Sequence, residues 1–382
     1  MDSAIQARNQ SVRKQFLPLE RHRIWAEVPE SSWNSWVWQQ QNRVKTSFQL
    51  GSLLSLSSEE KAAFEKVAPL FRMAVTPYYL SLMSQTDPAC PIRRQGVPQE
   101  AEGVFLPTEL EDPSKEESMS PAPGVVHRYP DRVLLYTTHN CAVYCRFCTR
   151  KRKVADPSSA LGTDELEEGI AYIRAKPQIR EVVVSGGDAL SNSDDRLAHI
   201  LEKLRSIDHI EIIRLGSRNL VTLPYRVTPD FAKMVSSFSP VFFHTHFNHP
   251  RECTREALEA CELLSSAGIP LNNHTVLLKG INDDAEVMRT LNLKLLMMKV
   301  RPYYLYQCDR VFGNSGFRTS VETGLDIIQK LRGWSSGLAV PHYVMDTPGG
   351  GKVPLLPNYV VDKSPGRLVL KNYQGKNFEF LE

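Results

Sequence analysis

Cys141-Ala142-Val143-Tyr144-Cys145-Arg146-Phe147-Cys148 sets three thiols at the spacing C-x3-C-x2-C, and the reading of the whole chain turns on it. Thiolates are the usual protein ligands of iron–sulfur clusters. A [4Fe–4S] cluster held by three of them keeps one iron open to a small molecule. The rival is a structural zinc site, which takes four ligands and commonly a second paired knuckle. The nearest later cysteine, Cys253, lies over a hundred residues on, so the cluster is the better reading.

On the C-terminal side the motif runs into Arg150-Lys151-Arg152-Lys153. Alone, such a run is a solvated loop; here its position favours anion binding in the site. From about residue 126, short β-rich runs at 133–136, 182–184, 210–215, 241–243, 276–278 and 303–306 alternate with amphipathic stretches at 164–175, 194–205, 254–267 and 283–296. Asp164 and Glu167 have the spacing of a capping box. Six strands separated by helices imply parallel βα units. Upstream, residues 1–125 read as helical and connecting segments. Trp25, Trp33, Trp36 and Trp38 are expected to pack in a core. Residues 98–124, rich in Pro, Glu and Ser, predict an exposed linker. The tail, residues 346–382, is Pro/Gly-rich at its start and is placed to close over a barrel mouth. The expected organisation is therefore 1–125, 126–345 and 346–382, with no internal repeat.

With 382 residues, 42% of them apolar, the chain can bury a large core. A net charge of +3, from 46 basic and 43 acidic residues, argues against a nucleic-acid partner. No segment reaches the ~18–20 apolar residues that span a bilayer. Residues 1–23 lack an apolar signal region. Four of the seven cysteines, Cys90, Cys253, Cys261 and Cys308, are scattered, which fits the reducing cytoplasm that an oxygen-sensitive cluster needs.

Further motifs sharpen the reading. Ser185-Gly186-Gly187-Asp188 follows the second predicted strand, where glycines let backbone approach a ligand closely. The stretches His127-Arg128-Tyr129-Pro130-Asp131-Arg132, Cys145-Arg146-Phe147-Cys148-Thr149-Arg150, His244-Thr245-His246-Phe247-Asn248-His249-Pro250, Arg301-Pro302-Tyr303-Tyr304-Leu305-Tyr306-Gln307-Cys308-Asp309 and Asp346-Thr347-Pro348-Gly349-Gly350-Gly351-Lys352 are longer and more specific. The cysteine spacing, with Phe147 before its last member, resembles the radical-SAM signature. Together the stretches resemble the lysine 2,3-aminomutase family over roughly residues 85–360.

That resemblance implies an α/β fold: a partial (βα)6 radical-SAM barrel with a helical N-terminal extension and a short C-terminal tail. It implies a [4Fe–4S] cluster, S-adenosyl-L-methionine (SAM) and pyridoxal 5′-phosphate (PLP). Cys141, Cys145 and Cys148 match the cluster ligands, and Lys352 the lysine that holds PLP. Arg128, Tyr129 and Arg132 match residues around the PLP phosphate and ring; two guanidinium groups suit a dianion. Ser185, Gly186, Gly187, Asp188 and His246 match the SAM side, and Arg150 the clamp on the substrate α-carboxylate. Asp309 and Asp346 match the two carboxylates that hold the far ammonium of lysine, a pair that would repel an acidic side chain.

The chain departs from the family in three places. Its glycine run, residues 349–351, is one residue shorter. Asn273-His274-Thr275 stands where the family carries Asn-Gln. Nothing after Cys308 is cysteine, so the family's C-terminal zinc and the tetramer it supports are not expected.

The implied activity is the transfer of the α-amino group of L-lysine to C3, giving β-lysine, on a free amino acid. The expected electron donor is a flavodoxin or ferredoxin, and a homo-oligomer stays open. Arginine with the same chemistry is the nearest rival, because two aspartates also suit a guanidinium. The translation-factor-modifying relatives rank lower, since their shortened members are expected to lack the Asp346-to-Lys352 pattern. A non-catalytic iron–sulfur binding protein is the rival from another class.

Overall fold

The computed structural model describes residues 11–154, 156, 161–365 and 367–381. Its centre is a nine-stranded sheet in sequential order. The strands are β1 (Val125–Tyr129), β2 (Arg132–Tyr136), β3 (Glu181–Ser185), β4 (Ile212–Gly216), β5 (Val241–Thr245), β6 (Leu271–Leu277), β7 (Val300–Gln307), β8 (His342–Thr347) and β9 (Gly351–Pro354). From β2 to β8 every neighbouring pair is parallel. The expected six parallel strands are all present, and β8 adds a seventh. Antiparallel hairpins close the two ends, β1 on β2 and β9 on β8.

The α/β barrel follows from side-chain alternation. Outward-facing Val182, Val184, Ile213, Leu215 and Phe243 are fully buried under the helices. The helix Asp194–Arg205 turns Leu197, Ile200, Leu201 and Leu204 inward at helical spacing, with Ser193 accepting from the Arg196 amide at its N-cap (3.3 Å). Arg255–Ser266 repeats the design, capped by Thr254. The hydrophobic core therefore sits between sheet and helices, and the barrel interior is left for polar groups.

Three expectations are corrected. The helix at 164–175 is capped at Gly162, whose amide donates to Glu165 (2.7 Å), while Glu167 turns to His199 and Lys203 on the next helix. Residues 98–124 are only in part the exposed linker expected. Glu102 and Glu109 are buried, and Glu102 pairs with Arg146 (2.8 Å) and Lys151 (3.4 Å). The polar composition that suggested solvent serves buried cations on the cysteine loop instead. In the tail, residues 346–352 reach the mouth, but past Lys352 no described residue lines the cavity. A separate three-stranded sheet, β10 (Val360–Ser364), β11 (Arg367–Lys371) and β12 (Asn377–Leu381), follows. The turn between β11 and β12 leans Tyr373 on Trp334, centroids 5.1 Å apart.

The N-terminal region packs against the barrel as expected. Trp33 is buried and donates to the Tyr225 hydroxyl (2.9 Å), with Trp25 and Trp38 beside it and Trp36 beneath Arg226. Among the described residues no helix is long and apolar enough to cross a membrane.

Candidate active site

Alternate inward residues of the strands, with the loops that follow β2, β3, β4, β5 and β7, line one cavity of about 650 Å³. All but one of the residues singled out from the sequence reach it: Cys141, Cys145, Cys148, Arg128, Tyr129, Arg132, Arg150, Ser185, Gly187, Asp188, His246, Asp309, Asp346 and Lys352. Gly186 stays behind the wall.

The cysteine loop is braced from behind. Arg43 donates to the Cys141 carbonyl (2.6 Å), the Tyr144 amide to Ala74 O (2.9 Å) and the Arg146 amide to Gln95 O (3.0 Å). Burial pushes the Cys141 thiol well above its ordinary range, with Asp188 and then the other two cysteines adding to it; burial and then Cys145 raise Cys148. The three sulfurs thus feel one another's charge in a buried place, where bound iron would stabilise the thiolates. Each cysteine of a cubane set binds a different iron, so three thiols carried on one braced, cavity-lining loop fit a cluster.

Beside the cysteines, Gly186 (φ +139°) and Gly187 pack against the backbone of 138–140, where an added Cβ would fall 2.2 Å from Thr138 O and 2.4 Å from Asn140 O. The Gly187 and Asp188 amides bond there (2.6 and 2.9 Å), locking the loop after β3 to the segment that carries the cysteines. Asp188 accepts from the Ser217 hydroxyl (2.6 Å), the Leu190 amide (2.9 Å) and the Arg218 amide (2.7 Å). His246 faces Asn248 (3.1 Å) and leans on Phe147; burial and then the Arg218 charge lower its pKa to about 3, so it is neutral.

Across the cavity, the sheet's two ends meet at a seam. Arg128 on β1 pairs with Asp346 on β8 (2.7 Å) and donates to Thr347 O. The Lys352 amide on β9 donates to the Tyr129 hydroxyl (3.0 Å), and Lys352 Nζ lies 3.5 Å from Asp346. The shortened glycine run still delivers the lysine. Gly349 and Gly351 take φ of +75° and +84°, and the hairpin sets Lys352 directly opposite Asp346. Arg132 lies over the Tyr129 ring (4.0 Å) and pairs with Asp131 (2.7 Å). Arg128 Nε is buried without a hydrogen-bond partner. An unsatisfied guanidinium donor next to a second arginine and a cavity-facing lysine is what a phosphorylated aldehyde such as PLP would use.

Between the two sides stand the reading groups. Asp309 has no ion-pair partner among the described residues; burial, then the facing Asp346, raises its carboxyl to about 7. Arg150 is held edge-on by Glu116 (Nε 3.0 and 3.2 Å, Nη2 2.5 Å). His274 bonds His244 (2.9 Å) among Tyr303, Tyr304 and Tyr306; burial and then His244 hold it neutral.

Sequence reasoning missed Glu116 and Arg218. Arg218 is buried, and its Nη1 donates to Cys145 Sγ (2.7 Å) while Nη2 meets Glu252 (2.9 Å) and Gln95 (2.6 Å). Its position after β4, matching that of Asp188 after β3, was the available signal. Glu116 offered none, since its partners come from other segments.

The Radical SAM superfamily profile matches residues 135–292 and the Lysine-2,3-aminomutase profile residues 328–382. The L-lysine 2,3-aminomutase of Fusobacterium nucleatum subsp. nucleatum is 48% identical over 96% of this chain and 84% of its own length. That of Clostridium subterminale is 46% identical over 93% and 86%. The chain belongs to the lysine 2,3-aminomutase family. It is a radical SAM aminomutase, an isomerase whose family implies a [4Fe–4S] cluster and SAM; PLP is characteristic of the lysine aminomutases. The glutamate 2,3-aminomutase of Clostridioides difficile is 45% identical over 91% of this chain and 82% of its own. Overall identity within the family therefore does not decide the substrate, and the cavity has to.

Proposed function

We propose that this aminomutase acts on free L-lysine and forms β-lysine, with PLP held by Lys352. The observation that carries the reading is Asp309: a carboxylate in the cavity wall, opposed by Asp346 and without an ion pair among the described residues, the Lys352 and Arg150 charges offsetting that repulsion only from beyond ion-pair distance. A distal ammonium relieves that repulsion, whereas a glutamate side chain would add a third negative charge.

When bound, the cluster with SAM supplies a hydrogen-abstracting radical, and PLP supplies a π-system that stabilises the migrating nitrogen. The chain's residues do the rest. Arg150 receives the α-carboxylate, fixing which end of the amino acid points to the cysteine side. Asp309 and Asp346 receive the distal cation. Arg128 exchanges part of its contact with Asp346 for a phosphate, using the free Nε donor. Tyr129 would stand beside the cofactor ring, and Lys352 Nζ, partly accessible beside Asp346 and over the Tyr129 ring, would offer its amine. Neutral His246, and Asp188 with its two amide donors and one hydroxyl donor, would shape the SAM side. A flavodoxin- or ferredoxin-type donor in a reducing cytoplasm would reduce the cluster.

The test is a substrate panel. Reduced, cluster-reconstituted protein with SAM and PLP is incubated with lysine, arginine, ornithine and glutamate, and β-amino products are separated by chromatography. β-Lysine is expected in excess. A preference for arginine would move the substrate but keep the carboxylate pair; a preference for glutamate would overturn the reading. In parallel, borohydride should fix PLP to wild type and not to Lys352→Ala.

A further inference from the structure

Three segments distant in the chain converge on one guanidinium. Glu116 comes from the stretch before β1, Tyr136 from the end of β2, and Arg150 from the loop after the cysteines. Glu116 grips the Nε–Nη2 edge of Arg150, and the Tyr136 hydroxyl donates to Glu116 Oε2 (2.5 Å). The Tyr136 ring lies under the Arg150 guanidinium, 5.1 Å from Cζ. Each member is thus held by the other two. Burial raises the Glu116 carboxyl, but the Arg150 charge and hydrogen bonds outweigh it and hold it at about 2, so the pair stays ionised throughout the working pH range. Burial pushes the Tyr136 phenol up, so it remains a donor.

A guanidinium carries five N–H donors on three edges, and Glu116 takes one edge. Arg150 and Glu116 both line the cavity. Glu116 occupies the Nε–Nη2 edge alone, which leaves Nη1 for a ligand and fixes the plane and rotation of the group. A free arginine side chain would lose rotamer entropy each time it closed on a substrate, and a pinned one has lost it already.

We propose that Glu116, with Tyr136, is a positioning residue that presents a fixed edge of Arg150 to the substrate α-carboxylate and so sets how strongly this enzyme requires an amino acid over an amine. The inference rests on the proposed role of Arg150 as the carboxylate reader.

The test compares lysine with 1,5-diaminopentane, which lacks only the carboxylate. Affinities are measured by calorimetry on cluster- and PLP-loaded protein without SAM or reductant, so nothing turns over. The readout is the ratio of the two dissociation constants, which a general loss of stability would not move. Cluster absorbance and melting temperature check each variant. Glu116→Gln should cut the lysine preference about tenfold, the lower end of what loss of an outer-shell partner does at metal sites. Tyr136→Phe, which keeps the ring and removes only the hydroxyl, should give a smaller cut in the same direction and serves if the first variant folds poorly. Arg150→Gln should abolish the preference. An unchanged ratio in Glu116→Gln alongside a collapsed one in Arg150→Gln overturns the positioning role and leaves the carboxylate reader standing. A higher ratio in Glu116→Gln also overturns it, because Glu116 would then be competing with substrate. A ratio unmoved by Arg150→Gln removes the carboxylate reader and the inference together.

Discussion

The two sides of the cavity are built by opposite means. On the cysteine side, charges are matched by permanent partners deep in the protein: Arg146 with Glu102, Arg218 with Glu252, Asp188 with two amides and a hydroxyl. At the seam, Arg128, Asp346 and Lys352 share one another, and Asp309 forms no ion pair among the described residues. The first arrangement holds a fixed scaffold around ligands that stay. The second is a set of shared contacts between the sheet's end strands, which on the proposed function a phosphate and a diamino acid would replace. Rigidity and exchange are thus separated across the width of one barrel.

The largest expected effect lies on the fixed side. Cys141→Ala, Cys145→Ala or Cys148→Ala leaves two ligands where three are needed, so 5′-deoxyadenosine formation should fall to background while the protein stays soluble. A single variant that retains a full cluster by iron and sulfide analysis, and cleaves SAM at the wild-type rate, would dismiss the ligand assignment.

Next in size is a contrast in stability. Glu102→Gln strands Arg146 and Lys151 in a buried place, and breaking such a pair costs about 3–5 kcal/mol. Asp346→Asn loses two ion pairs but also relieves Asp309, so its cost should be smaller. Urea unfolding of the two variants measures the difference. Equal losses would mean that the seam is as permanent as the scaffold.

The same contrast governs what the sequence makes legible. The six strands were readable because their outward positions are mostly aliphatic or aromatic and join a core with helices of regular apolar spacing, as Val182 and Val184 share one with Leu197 and Ile200. β8 was harder: His-Tyr-Val-Met-Asp-Thr mixes one exposed, two buried and three half-buried positions, and a glycine turn follows it. β1, Val-Val-His-Arg-Tyr, hid because its partner is the next strand across a two-residue turn, outside the βα pattern. Among candidate site residues in local motifs, the cysteines were visible by spacing, and Lys352 through the family resemblance of its glycine-rich stretch. Glu116, Glu102 and Arg218 were not, because each earns its role from partners 20 to 139 positions away. Acidic residues in a Pro/Ser-rich stretch look solvated until the buried arginines they serve are folded against them.

The smallest effect, and the one that separates the two sides most sharply, is a proton. Asp309 titrates near 7 in the free protein because burial and Asp346 disfavour its charged form. A cation bound beside it favours that form and lowers the pKa. Below pH 7 Asp309 is mostly protonated, so lysine binding must expel a proton; well above pH 7 it is already ionised and none is released. Lysine affinity should therefore rise as pH is raised from about 6 to 8 and then level off, with proton release greatest at the acid end. Calorimetry in two buffers of different ionisation enthalpy counts the proton directly. Asp309→Asn should abolish the release and lower kcat/KM roughly tenfold to a hundredfold, the equivalent of a charged hydrogen bond of about 1.5–3 kcal/mol. Glu116 gives the control, since its carboxyl sits at about 2 and is ionised across the whole window. If proton release persists in Asp309→Asn, the titrating group is another one, and the seam is not where the distal cation is read.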